Sequence, residues 1–335
     1  MGYAKLNFAT SVTTGQALYD IVRVISGNIT VVANLSYANT TNSEIVNTLA
    51  ENWTIEYGSV ADTTGSYIVS SPCVTNTKKH WILLQASNAY TYNSSAAFST
   101  AGSGINLSTI SDAVSISSYS NPTYYSTTGS TIGAGRYLVH VDASNTNIYV
   151  HWSSHHVLIY GKFITGAATG IMASLEYPET SLTQFTNTAP VAQYTMLYGY
   201  TTSFITTTTP STGTTAAIVL QGINVHQPSV NTTSGVYNLG VSGFGTVTLS
   251  TFNPVFTIGT DGSNIYPLVP VYWSVPSVGI PIINLSQLTG VYRMATSATF
   301  SEGVFTVDSN SYVWLPISTT ITGGTQSSAI GLLKK

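Results

Sequence analysis

Six histidines occur in 335 residues. Four of them, His140, His151, His155 and His156, fall within 140-HVDASNTNIYVHWSSHHVLIYGKF-163, where Asp142 joins them. Imidazole and carboxyl groups at this density could build a metal centre or a general acid–base pair. Strand geometry limits what they can do together. In a strand, residues two apart share a face, so His140 goes with Leu138 and Asp142, and His151 goes with Tyr149. A hairpin of 136–142 with 147–152, turning within 143–147, would set whether His140 and His151 meet. His155 and His156 are adjacent and point to opposite faces if both are in strand. A structural zinc site wants four ligands at once, and this spacing offers three at most. The four histidines are therefore weak metal candidates, and the expectation is no metal and no cofactor.

Other chemistry is sparse. The chain has 12 carboxyl side chains, and a glycosidase needs two of them about 5 to 9.5 Å apart. Glu176 and Glu179 are close in sequence, but beside Pro178 they read as turn residues. Asp261 and Asp308 sit in DGSN and DSNS, where Asp commonly bonds the backbone of a turn. Neither a phosphate-binding loop nor a Gly-x-Ser-x-Gly elbow is present. No catalytic residue is assigned, and the expectation is a protein that is not an enzyme. The single cysteine, Cys73, excludes an intrachain disulfide and reads as a small buried hydrophobe. Tyrosine is abundant, with 22 copies. In 119-YSNPTYY-125, Tyr119, Tyr124 and Tyr125 could stack on a glycan or anchor a protein interface.

The elements that must position these groups are mostly strands. Two stretches read as helices. In 14–28, Leu18, Ile21, Val22 and Ile25 follow helical spacing, Thr14 is placed to cap the start, and Gly27 is placed to end it. In 41–52, Ile45, Val46 and Leu49 form one apolar face. Beyond residue 60 the pattern is Val, Ile, Tyr and Thr broken by Gly, Asn, Ser and Pro. Strands are expected at 67–74, 79–87, 136–142, 147–152, 156–163, 171–177 and 193–200. Further strands are expected at 216–223, 245–250, 265–273, 290–295 and 311–317. Long loops are expected at 93–104 and 117–135, and a Thr-rich linker or loop at 201–215. The fold class expected is mainly β, with antiparallel sandwich-like or barrel-like domains and a small N-terminal α/β portion. The divisions are 1–65, 66–200 and 201–335, the last being a second β-rich domain or a continuation of the same sandwich.

Charged residues make up 6% of the chain and hydrophobic ones 43%, against about 25% charged in an ordinary domain. Polarity comes instead from Thr, Ser, Asn and Gly, whose groups pair without the cost of burying a charge. Such a surface can pack against copies of itself. A net charge of -3 gives no basic footprint for nucleic acid. No run of about 20 apolar residues is present to span a bilayer, so no membrane partner is expected.

Two long blocks are similar to a known layout. The segment 147-NIYVHWSSHHVLIYGKF-163 followed by 170-GIMASLEYPETS-181 resembles virion structural proteins of tailed bacteriophages. There a strand, a short turn and a His-containing strand precede a Gly-started strand ending in an acidic-aromatic motif. Ser154 stands where that layout has Pro or Arg. The blocks 261-DGSNIYPLVPV-271, 284-NLSQLTGVYRMA-295 and 307-VDSNSYVWLPI-317, and the opening 17-ALYDIVRVISGNIT-30, are similar to such proteins too. The resemblance implies a virion location, in the tail, baseplate, neck or fibre. It implies a homo-oligomer whose partners are other copies and other virion proteins. The alternative is a receptor- or glycan-binding module of a virion or a cell-surface adhesin, meeting host glycan through its Tyr-rich loops.

Overall fold

The computed structural model describes residues 1–47, 49–58, 65–72, 81–88, 91–100, 103–109, 147–154, 156–162, 168–176, 193–200, 217–221, 248–250, 269–275, 283–296, 303–307, 309–317 and 327–334. Strands β1 (Gly2–Asn7), β2 (Glu44–Val46), β3 (Thr54–Tyr57), β4 (Ser66–Ser70), β5 (Trp81–Asn88), β6 (Thr91–Tyr92) and β7 (Ser103–Thr109) come first, with one α-helix, α1 (Thr14–Ile25), after β1. A middle group follows: β8 (Asn147–Trp152), β9 (His156–Lys162), β10 (Ala168–Glu176), β11 (Gln193–Tyr200) and β12 (Ala217–Gln221). The last group is β13 (Thr248–Ser250), β14 (Val269–Val275), β15 (Ile283–Thr296), β16 (Gly303–Val307), β17 (Asn310–Ile317) and β18 (Ser327–Leu333). The fold is mainly β and antiparallel.

Among the described residues the strands form three sheets. A seven-stranded sheet runs β12-β11-β10-β9-β8-β1-β2, a six-stranded sheet runs β13-β14-β15-β18-β17-β16, and a smaller sheet runs β3-β4-β5-β6 with β7 also on β5. The seven-stranded sheet draws strands from 1–65, 66–200 and 201–335 alike. Among the described residues no helix is long and apolar enough to cross a membrane.

Helix α1 lies between two sheets. Its core neighbours are Ala4, Leu6, Ile148, Val150 and Trp152 of the seven-stranded sheet and Tyr67, Val69, Ile82 and Leu84 of the small one. Apolar layers on both sides explain why ten of its residues are buried, including Thr14, Gly15 and Asp20. The cap is Thr13, one residue before the expected Thr14: the Thr13 hydroxyl accepts from the Gln16 amide and the Gln16 side chain accepts from the Thr13 amide. This reciprocal pair satisfies two otherwise orphaned donors. Thr14 instead donates its hydroxyl to the Ala96 carbonyl.

At the other end Gly27 has φ +73. The Asn28 amide donates to the Arg23 carbonyl and the Gly27 amide to the Val24 carbonyl, which is the left-handed helix stop that favours glycine. A Cβ here would also lie 2.0 Å from Asn52 Nδ2. Gly27→Ala is expected to cost about 1–3 kcal/mol, read as a lower urea midpoint at unchanged slope.

The helix expected over 41–52 does not form. Glu44–Val46 pair with β1 instead, with Ala4 opposite Ile45 and Lys5 opposite Glu44, and Leu49–Glu51 form a short 3-10 turn. Two adjacent β-branched residues beside an open strand edge favour the sheet over the helix. The expected loop 93–104 contains the start of β7 at Ser103. The strand expected at 136–142 and the loops expected at 117–135 and 201–215 lie outside the described residues.

Candidate functional site

The histidine segment folds as a β8–β9 hairpin. Trp152 stands opposite Val157 and His151 opposite Leu158, and the Ser153 amide donates to the His156 carbonyl to close the turn. His156 is two residues from Leu158, so it shares a face with His151 and sits diagonally across from it. Ile148, Val150, Trp152, Val157 and Ile159 face the helix. Tyr149, His151, His156, Leu158 and Tyr160 take the other face, and all five are buried as well. A sheet buried on both sides leaves no solvent face for its polar residues.

The two imidazoles stack, with centroids 5.1 Å apart and planes 17° from parallel. His151 Nδ1 lies 2.9 Å from His156 Nε2, and His156 Nδ1 lies 3.0 Å from Ser153 Oγ. Neutral rings complete this chain in either direction, since each ring then carries one N–H and one acceptor nitrogen. His151 Nε2 is buried without a hydrogen-bond partner. It points toward the C-terminal sheet: a Cβ on Gly290 would lie 3.1 Å from it and 2.6 Å from Met1 Sδ. Gly290 has φ +78, so glycine fits here both for its backbone and for the close approach of the ring.

The turn is fixed from below. Trp53 Nε1 donates to the Ser153 carbonyl at 2.8 Å, the Ser71 hydroxyl donates to the Ser154 carbonyl at 2.5 Å, and the Ser154 amide donates to Glu51. Beside the histidines, Tyr149 and Tyr160 rings meet at 6.5 Å and the Lys5 ammonium lies over Tyr149. Burial pushes the Tyr160 phenol up, so it stays protonated.

Of the candidates named from sequence, the structure brings together His151 and His156. His140, Asp142, His155, Cys73, Glu179, Asp261, Asp308, Tyr119, Tyr124 and Tyr125 lie outside the described residues. Among the described residues no group of three His, Cys, Asp or Glu side chains is placed to hold a metal ion. His151 meets His156 across the turn; whether it meets His140, which depends on the 136–142 register, lies outside the described residues. Ser153 and Trp53 were not anticipated. The signal was available in WSSHH: a tight turn there places residues 151 and 156 on one face.

Chemically the arrangement is a closed relay. His151 is 0% exposed, His156 1% and Ser153 4%. Ser153 therefore cannot act on an external carbonyl, although a hydroxyl beside a His–His pair has the composition of an activated nucleophile. Burial holds the His151 pKa down to about 3, with the N-terminal ammonium adding to the effect and the Leu333 backbone opposing it, although no full hydrogen bond reaches Nε2.

A folded pKa below the unfolded value of 6.5 means that unfolding takes up a proton. The stability due to neutral His151 is thus complete above about pH 6.5 and is lost as pH falls toward 3. The expected slope is about 1.4 kcal/mol per pH unit inside this window. Urea unfolding at several pH values checks it, and His151→Leu should flatten the curve.

No protein-family profile matches the chain, and no curated protein matches its sequence.

Proposed function

We propose that this chain is a non-enzymatic structural subunit of a tailed-bacteriophage virion, in the tail, baseplate, neck or fibre, assembling as a homo-oligomer with other virion proteins. The observation that carries this reading is the fate of the histidine cluster. Three of the four ring nitrogens of His151 and His156 bond to one another or to the Ser153 hydroxyl, under nearly complete burial. They fill the join between two sheets, and a substrate has no route to them. The resemblance of 147–181 and of the C-terminal blocks to virion proteins points the same way.

The low charge supports assembly. β16, Gly303–Val307, is the outermost strand of the six-stranded sheet among the described residues, and it carries no charged side chain. Its Val304 is 60% exposed. Natural edge strands that must stay single are blunted with charge, Pro or a bulge. A neutral edge with an exposed valine suits continuation into another copy. Sedimentation velocity of the purified chain tests the reading. The wild type is expected to sediment as an oligomer, with Val304→Lys shifting it to smaller species. A wild type that stays monomeric at every soluble concentration contradicts it.

A further inference from the structure

We propose that the His151–His156 stack is an acid-sensitive latch between the seven-stranded sheet and the six-stranded C-terminal sheet, closed with neutral rings and opened by protonation. The inference stands on the geometry of the join and does not depend on the assembly reading.

Each element packed on the pair contributes a defined group. Met1, just ahead of β1, supplies its α-amino group and thioether, and Tyr3 of β1 stands opposite His151 in register. The hairpin supplies the Ser153 hydroxyl. From β15 comes the bare Cα of Gly290, and from β18 the Leu333 backbone. From β10, Ser174 stands opposite His156 in register, with Glu176 two residues further along that strand; none of the groups named around His151 is a carboxyl. Glu44 is engaged by Lys334 and Glu51 by the Ser154 amide. Lys5, on the same face, lies over Tyr149. A proton added to His151 thus creates a buried cation beside an ammonium, with no carboxyl among the described groups around that ring.

One side of the join must yield, and the sides are unequal. The hairpin is tied to Trp53, Ser71 and Glu51 and is backed by the helix core. The C-terminal side meets the ring through a glycine and a main-chain group, with the Lys334–Glu44 ion pair at its margin. Surface ion pairs of that kind hold weakly. Protonation therefore frees β15 and β18 and leaves β1, β8 and α1 in place.

Hydrogen exchange followed by mass spectrometry on the full chain, corrected for intrinsic exchange at each pH, tests the latch between about pH 7 and about pH 4. Peptides covering β15 and β18 are expected to lose at least about tenfold in protection in acid while α1 and β1 keep theirs. In His151→Leu the β15 and β18 peptides should keep protection at the lower pH. The latch is overturned if β15 and β18 stay protected in the wild type, if they lose protection together with α1, or if His151→Leu opens at the same pH. Should His151→Leu fail to fold, the wild-type pattern decides: selective loss supports the latch and joint loss overturns it.

Discussion

Replacing Asp20 with alanine is expected to cost about 3–5 kcal/mol. Asp20 sits in the second turn of α1 and is 0% exposed. Its carboxyl oxygens accept from three consecutive backbone amides, Ser36 at 3.1 Å, Tyr37 at 2.7 Å and Ala38 at 2.8 Å. That segment is also tied to β1, through the Phe8–Ala38 bridge and the Asn39 amide on the Asn7 carbonyl. Alanine leaves several N–H groups without an acceptor, and an orphaned buried donor costs more than the bond was worth. Asp20→Asn keeps one acceptor oxygen and should lose about half as much. The urea midpoint measures both. A loss below about 1 kcal/mol for Asp20→Ala would mean that β1 alone holds residues 36–38.

Trp53→Ala is the second large effect, at about 3–5 kcal/mol. The side chain is 1% exposed and lies in the main core. Its backbone amide donates to the Ile25 carbonyl at the end of α1, and its indole donates to the Ser153 carbonyl of the histidine turn. One residue thus joins the helix end to the hairpin. Trp53→Phe keeps most of the apolar contact but leaves the Ser153 carbonyl unpaired, so about 1–2 kcal/mol is expected. The two variants separate packing from the hydrogen bond. If Phe is as damaging as Ala, the indole N–H dominates and the packing argument fails.

Sequence patterns revealed those elements whose signals are local. The β8 and β11 boundaries follow directly from apolar runs between turn residues, and α1 from helical spacing with Gly27 at its end. β1 escaped because it is short and its far face is mixed, Tyr3 buried beside half-buried Lys5 and Asn7, while Ala4 and Leu6 pack against the helix, so its neighbours in the sheet define it. β2 is three residues long and takes its conformation from a strand about 40 positions away. No window centred on Ile45 contains that information. β18, SSAIGLL, lacks the β-branched and aromatic density of the other strands and is held between β15 and β17. The role of Asp20 was likewise invisible, since its donors lie 16 to 18 residues on. The histidine cluster was legible by composition and by the alternation of faces, but the pairing of His151 with His156 needed the register of one turn.

These details bear on function through one contrast. An active site leaves at least part of its reactive groups accessible, whereas the described His151–His156 pair is buried at the join of two sheets. The Gly290 contact and the Lys334–Glu44 pair bring the chain's last strands onto its first. This arrangement is compatible with the proposed role, in which the outer strand edges and neutral surface would meet other copies.

For the proposed virion role the most direct test is quantitative mass spectrometry of purified tailed-phage particles produced from a genome carrying this sequence, with tails and heads separated. The account predicts that the chain is present in the tail fraction at a fixed multiple of copies per particle and withstands high-salt washing. Its absence from washed particles, with all of the protein left in the soluble lysate, would contradict the account.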